Sequence, residues 1–565
     1  ERNRDPVETP TSIDLKQAVE SALALHKQGR PAEALERLDK IRERAPDDPT
    51  VRFLLGAVHS ELGDPTSAAP HLAAALAARP KHAQAAALLG QAYRQLGDDD
   101  AAVRMWRAYL SSNPADLRGR LNLIEALFHR GDREEAEAQV EALPPECDQD
   151  PDSQLILGLV YHATGDPVAG IDRYRRCLEL MPGLPLARRN LAAALQELQR
   201  LDEAEAIYRD LLTDAPADVG LIQNLGTIHK DRDDLAGAVD LYSRAMHLRR
   251  RRLTAGEVAE TGREPDARRT TLHSLRLELD QLEYLSSEAV SVDGLDRLIA
   301  GYRQVLADLE GKAPEGKRFP LPEAHFSLIG EAMQRLVHLE PAPALEGGVL
   351  NPDLDFDEVE ARYRDSGPGI VSADGFLRPE GLAALRRYLH RSTVWFGYGK
   401  ARGYCGSYME DGFGCPLLIQ LASELRQRMP GLLGGHHLNQ MWAYIYDQRM
   451  DGITAHADPA AVNLNFWITD DDANLDPDSG GLVVSKREAP REWDFHDYNN
   501  RPEVLEPFVC GDDRVVVPHR CNRMVMFNSN LVHKTDDFSF RPGFTNRRIN
   551  VTMLFGWRRA GDGGR

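Results

Sequence analysis

Cysteine is scarce in this chain: there are six in 565 residues, none of them in a Cys-x-x-Cys pair. That excludes a disulfide-stapled scaffold and a zinc ribbon. No apolar run approaches the ~18 to 20 residues that span a bilayer, which excludes a transmembrane helix. Basic residues are in the minority, 68 Lys and Arg against 88 Asp and Glu, giving a net charge of −20. So acidic a chain repels phosphate, and neither nucleic acid nor a membrane is expected as a partner. Glu1 to Pro10 lack the apolar core of a signal peptide, so a cytoplasmic location is expected. The chain opens on Glu1 rather than Met, as it would if an upstream segment had been removed. Hydrophobic residues at 42% and charged residues at 28% give an ordinary globular balance.

What is present first is a period. Gly29, Gly63, Gly97, Gly131 and Gly165 lie 34 residues apart, as do Pro46, Pro80 and Pro114, with Pro182 and Pro216 continuing that frame. Ala34, Ala68, Ala102, Ala136, Ala204 and Ala238 hold the same register, and Gly170 replaces one of them. Each glycine suits the left-handed end of a first helix, each alanine a close helix crossing, and each proline the end of a second helix. Leu55-Gly56 with His59, Leu89-Gly90 with Tyr93 and Leu225-Gly226 with His229 complete the pattern. The period and its residues resemble tetratricopeptide repeats, pairs of antiparallel helices stacked into a solenoid. Seven units are predicted over 15–252, with Pro144-Pro145 cutting the fourth short. The resemblance implies a groove that holds peptides. Asn122, Asn190 and Asn224 recur at the sixth position of their units, facing that groove. They serve either as backbone contacts for an extended peptide or as scaffold residues. Arg249 to Arg252 read as a solvated helix end.

After Leu253 the period stops. Leu272 to Leu285 predict a helix, about Val292 to Leu309 a second, and Ala324 to Leu339 a third, with a loop over Gly311 to Pro322. The region 253–367 reads as a helical connector, between a tail at 1–14 with its array and a domain at 368–560 ending in a tail at 561–565.

Beyond Gly367 the chain turns β-rich, with runs at Met441 to Tyr446, Val462 to Thr469, Gly481 to Val484, Arg514 to Val517, Met524 to Phe527 and Ile549 to Phe555. Many short strands suggest a sandwich or jelly roll. His456-Ala457-Asp458 sets an imidazole and a carboxylate on the same side of a strand end, and His533 follows the run Met524 to Phe527. Two histidines and a carboxylate make the facial triad that binds iron(II) and leaves coordination positions open. Arg548, Asn550 and Thr552 share one face of the last strand. An arginine fork there can grip the far carboxylate of a dicarboxylate.

His456-x-Asp458, Gly480-Gly481, His533 and Arg548-x-Asn-x-Thr552, in this order and β context, resemble the iron(II)- and 2-oxoglutarate-dependent dioxygenases, in particular their prolyl-hydroxylase-like branch. The resemblance covers about Gly369 to Trp557. It implies a double-stranded β-helix with His456, Asp458 and His533 on iron and Arg548 on 2-oxoglutarate. Arg547 is the rival, with its side chain expected to point out of the barrel. Tyr446, Asn463 and Thr552 are further candidates around 2-oxoglutarate. Asn465, Trp467 and Trp493 are candidates around substrate, Trp493 lying in a long loop over Lys486 to Pro518. Packing is the competing role for Asn463, Asn465 and Trp467. His436, His437, His496 and His519 read as structural or exposed.

The implied cosubstrates are 2-oxoglutarate and O2, with ascorbate as a stimulant. The fusion points to hydroxylation of a protein or peptide side chain presented by the array. The alternatives are a small-molecule hydroxylase whose array mediates assembly, and a scaffold or sensor with a vestigial barrel.

Overall fold

The computed structural model describes residues 12–27, 30–264, 266–397, 404–446, 452–490, 493 and 495–557. Gly29 and the tail residues 1–11 and 558–565 lie outside them. The chain divides into two compact units, Glu1–Leu211 and Leu212–Arg565.

The array is helical in the frame that the period predicts, from Ser12–Lys27 to Leu235–Arg250. The six repeat alanines have no exposed surface. At Gly170 an added Cβ would stand 3.1 Å from the carbonyl oxygen of Gly158, a tight contact that marks the close crossing of the two helices of that pair. The second helix of the fourth pair, Arg133–Glu141, has nine residues where its counterparts commonly have fourteen, because Pro144 and Pro145 follow it. Gly63, Gly97, Gly131 and Gly165 all take positive φ, between 71° and 89°. The sixth and seventh pairs keep this left-handed turn without glycine: Gln199 has φ 57° and Asp233 φ 64° at the equivalent positions.

The second unit begins inside the array. Its seventh helix pair, Val219–Asp231 and Leu235–Arg250, contributes Val239 and Tyr242 to the main core of the β-rich region. Gln223 Nε2 donates to the Glu410 carbonyl at 2.9 Å, and Arg426 pairs with Asp233 at 2.7 Å. The arginines 249–252 are not a solvated end. Arg249 and Arg250 lie 2.7 and 3.8 Å from Asp411, Arg250 covers the Phe396 ring, Arg251 pairs with Glu257, and Arg252 pairs with Glu331. The connector has its own core around the helices Leu272–Ser287 and Leu295–Leu309. The third helix predicted there is only Glu323–Ile329. The chain leaves it at Gly330, whose surroundings leave no room for a Cβ, and Gln334 then takes a left-handed turn.

Nine strands follow among the described residues: β1 Ile370–Ala373, β2 Tyr404–Tyr408, β3 Leu438–Tyr446, β4 Val462–Trp467, β5 Leu482–Glu488, β6 Arg514–Val517, β7 Met524–Asn528, β8 Leu531–Thr535 and β9 Arg548–Phe555. They form a six-stranded sheet, β1-β7-β4-β9-β3-β2, and a three-stranded sheet, β8-β5-β6, both antiparallel. Period-two alternation splits the large sheet. Ile549, Val551, Met553 and Phe555 of β9, with Met441, Ala443 and Ile445 of β3, pack against helices that include Pro379–Arg391 and Pro416–Arg428. Arg548, Asn550 and Thr552 take the opposite face. There Trp467, Val525 and Phe527 share a core with Leu482, Val484, Val517 and Leu531, joining the two sheets face to face. The stretch Lys486 to Pro518 is not one loop: it finishes β5, forms the helices Phe495–Asn500 and Pro502–Val509, and includes β6.

An L-residue in the left-handed region costs about 1 kcal/mol, and glycine does not. Gln199→Gly is therefore expected to stabilise the chain by about that amount, and Gly165→Ala to destabilise it similarly. Denaturant titration of the two variants measures both changes, and a shift of the same sign in both would refute the conformational account.

Candidate metal centre

Two backbone hydrogen bonds build the centre. His456 and His533 form an isolated antiparallel bridge, each amide donating to the other's carbonyl at 3.0 and 2.8 Å. The imidazole centroids are consequently 4.3 Å apart. His533 lies on its own strand, β8, where the sequence placed it only after the run Met524 to Phe527. Alternation then sorts the neighbours. Ala455, Ala457 and Val532 enter a small apolar cluster with Tyr498, Leu505 and Val509, and Trp493 packs partly buried against it. The loop helices brace this backbone: Ala457 N–H donates to Tyr498 O at 2.8 Å, and Asn499 Nδ2 donates to Ala457 O at 3.1 Å.

His456, Asp458 and His533 each offer one ligand atom, all within 4.8 Å of one another. Nδ1 of His456 lies 2.8 Å from the Thr454 carbonyl, and Nδ1 of His533 lies 3.1 Å from the Leu531 carbonyl. A carbonyl can only accept, so each Nδ1 carries the proton and the lone pair of each ring falls on Nε2, the ligating atom. Those Nε2 atoms stand 3.8 and 3.3 Å from the carboxylate oxygens of Asp458. The Asn463 amide donates to Asp458 Oδ2 at 2.5 Å, a bond that favours the ionised carboxylate. An ionised carboxylate with two imidazole lone pairs is the donor set of a divalent transition metal.

The donors border a cavity of about 450 Å³. Trp442, Tyr444 and Tyr446 of β3 and Tyr404 and Tyr408 of β2 form an aromatic wall, with Asn465, Asn550, Thr552 and Thr535 as polar groups. Trp442 and Tyr444 were legible from β3 alternation, which sets them on the face of Tyr446. Tyr404 and Tyr408 were not, because Cys405-Gly406-Ser407 between them carries no strand signal.

Arg548 is 1% exposed. Its Nε donates to the Gly480 carbonyl at 2.6 Å, Nη2 to the Gly481 carbonyl at 3.0 Å and Nη1 to Asn550 Oδ1 at 3.1 Å. Its guanidinium carbon lies 4.6 Å from the Tyr446 ring centre. Burial pushes its pKa down, against a smaller opposing effect of Tyr446, and arginine stays charged under such a shift. All three guanidinium nitrogens donate, and it forms no ion pair among the described residues. Arg547 instead pairs with Asp280 at 2.5 Å, away from this face.

The other candidates separate by depth. Thr552 and Asn465 line the cavity, and Tyr446, 2% exposed, lines it with its hydroxyl 3.5 Å from that of Thr535. Asn463 lies behind the cavity wall, donating to Asp458 Oδ2 at 2.5 Å, so it supports the carboxylate rather than facing a ligand. Trp467 is fully buried between the sheets and does not reach the cavity, and Trp493 belongs to the brace cluster: both are packing residues. In the array Asn190 spends its amide on its own helix, donating to the Leu186 carbonyl at 2.8 Å, whereas Asn122 and Asn224 are half-buried.

The tetratricopeptide-repeat family matches residues 19–83, 56–104, 88–153 and 161–227. The first part of the chain therefore carries tetratricopeptide repeats. Similar solved structures include a tetratricopeptide repeat protein from Parabacteroides merdae, 15% identical, covering 41% of this chain and 93% of that one with a TM-score of 0.37. The C-terminal part of a repeat protein from Cytophaga hutchinsonii is 18% identical over 41% of this chain and 95% of that one, with a TM-score of 0.31. YrrB, a protein with an unusual peptide-binding site, is 19% identical over 30% of this chain and 88% of that one, with a TM-score of 0.27. No curated protein shows significant similarity to the chain. Among the described residues no helix is long and apolar enough to cross a membrane.

His519, 4% exposed, lies T-shaped on Phe540 and near Trp467, with neither ring nitrogen hydrogen-bonded. Burial, reinforced by Arg548 and Arg523, pushes its pKa down to about 3 from 6.5. The unfolded chain thus binds a proton below 6.5 that the folded chain refuses, and stability falls as pH drops from there towards 3. The slope from this one group is at most about 1.4 kcal/mol per pH unit. His519→Phe is expected to remove that slope while leaving stability near pH 8 unchanged or higher. Denaturation midpoints from pH 8 to 4.5 measure it, and an unaltered acid slope would refute the assignment.

Proposed function

We propose that the second unit is an iron(II)- and 2-oxoglutarate-dependent hydroxylase with a double-stranded β-helix fold, acting on a protein or peptide side chain that the repeat array helps to present. One observation carries the reading: two imidazole Nε2 atoms and a buried carboxylate meet at one cavity, and Arg548, on the same face of β9 as the cavity residues Asn550 and Thr552, is buried with no ion pair among the described residues. His456, Asp458 and His533 would hold the ion, and Arg548 the far carboxylate of 2-oxoglutarate. Bound there with O2, they would supply oxidative decarboxylation of 2-oxoglutarate to succinate and carbon dioxide, one oxygen atom going to succinate and the other to the hydroxylated C–H bond.

The chain's own residues would do the rest. The Thr454 and Leu531 carbonyls hold both histidines in the ligating tautomer. The guanidinium of Arg548 suits a carboxylate, and the low dielectric around it strengthens that pair. Tyr446 and Thr535 line the cavity near this arginine and help exclude water. Trp442, Tyr444, Tyr404 and Tyr408 give the substrate an aromatic surface without a fixed charge. Tetratricopeptide proteins commonly bind peptides or proteins, which supports a polypeptide substrate.

Succinate release by the full chain, supplied with iron(II), 2-oxoglutarate and oxygen, tests the reading. The parent is expected to form succinate, and His533→Ala none, while remaining folded. Arg548→Ala should weaken 2-oxoglutarate by about 2 to 5 kcal/mol, because a partner charge is left buried. A folded, iron-loaded parent that forms no succinate, or a His533→Ala variant at the parent rate, would overturn it. Substrate is then sought as co-purifying polypeptides that gain one oxygen atom.

A further inference from the structure

Between the metal carboxylate and the buried arginine runs an unbroken line of side-chain hydrogen bonds. Arg548 Nη1 donates to Asn550 Oδ1 at 3.1 Å. Asn550 Nδ2 donates to Asn465 Oδ1 at 3.3 Å and to Thr552 Oγ1 at 3.2 Å, and Thr552 Oγ1 donates to the same Asn465 oxygen at 2.6 Å. Asn465 Nδ2 donates to Asn463 Oδ1 at 2.6 Å, and Asn463 Nδ2 donates to Asp458 Oδ2 at 2.5 Å. Every member is at least nine-tenths buried.

The line has a direction fixed at both ends. A guanidinium can only donate and an ionised carboxylate can only accept. Each amide between them therefore accepts from the arginine side and donates to the aspartate side, and turning any one amide over would break two links. Strand register explains how it is assembled: Thr552 of β9 is opposite Asn465 of β4, and alternation sets 463 and 465, and 548, 550 and 552, on the same face. Aligned bonds of this kind polarise one another in a low-dielectric interior.

We propose that Asn463, Asn465 and Asn550 are positioning residues that couple the metal centre to the arginine anion site, with Asn465 as the hub. The inference rests on the metal-and-anion reading above. Its content is that each ligand is felt at the far end: a change at the aspartate end weakens the dicarboxylate, and a change at the arginine end weakens the metal. A set of merely local contacts would act only at its own end.

The test uses the full chain with cobalt(II) alone, followed by its visible absorption, and glutarate alone, followed by calorimetry. Asn463→Ala is expected to weaken cobalt by about tenfold, as for other groups that orient metal ligands. It should also weaken glutarate by about threefold, a typical coupling between networked residues. Asn550→Ala should reverse the ranking, weakening glutarate most and still weakening cobalt. Asn465→Leu should weaken both ligands. If Asn465→Leu fails to fold, the cross effects of the two end variants still decide. A parent that binds both ligands, with end variants that each affect only their own ligand, would sink the coupling and leave the metal-and-anion reading standing. A folded parent that takes up neither cobalt nor glutarate would sink that reading, and the coupling with it.

Discussion

The site depends on a bridge two residues wide. His456 and His533 are far apart in sequence, on segments with different neighbours, and the paired amide and carbonyl groups between them are the fixed contact that makes a cluster of three donors from them. Because side chains alternate, this pairing also decides that both imidazoles point inwards while Ala455, Ala457 and Val532 point outwards into the brace. The brace matters because His456, unlike His533, lies on no strand. The helices Phe495–Asn500 and Pro502–Val509 take that part, packing the outward residues and bonding the Ala457 backbone. A slip of one residue would turn both donors into the apolar cluster and bury alanines in the cavity.

The second constraint is electrostatic. A guanidinium buried at 1% exposure against aromatic rings and backbone carbonyls is costly without an opposite charge. Around this charge folding sets two carbonyls, one amide and the rings of Tyr446, Trp467 and Phe538, with no ion pair among the described residues. His519 nearby stays neutral because of its burial, with the charge of Arg548 adding to the effect. The interior between the sheets is therefore positive at one end and, at Asp458, negative at the other, with amides graded between them.

Much of this was legible in the sequence. The period of 34 residues located the repeat helices, and alternation in β9 set Arg548, Asn550 and Thr552 on one face. Face, however, is not depth. Trp467 shares a face with Asn463 and Asn465, yet one end of that face opens to the cavity while the other is closed by β5 and β6, and period two cannot tell these apart. Strand β2 escaped because Gly406 and Ser407 give no alternation. The partners of the arginines 249–252 escaped because Asp411 and Glu331 are distant in sequence. At Gln199 and Asp233 the repeat persists in backbone conformation after its glycine has gone, which residue identity conceals.

The seventh helix pair repeats the array's pattern in sequence but lies in the core of the β-rich unit, through Val239, Tyr242 and Asp233. This makes the array's two ends unequal in what they can lose. Whole repeats can be gained or lost within Glu1–Leu211, since each unit there leans chiefly on the next one. A 34-residue deletion over 219–252 would remove part of the support beneath the six-stranded sheet. Lineages carrying this architecture should vary in repeat number from the N-terminal side and keep the last pair fixed, and that pair should change in step with the strands and helices it covers rather than with its fellow repeats.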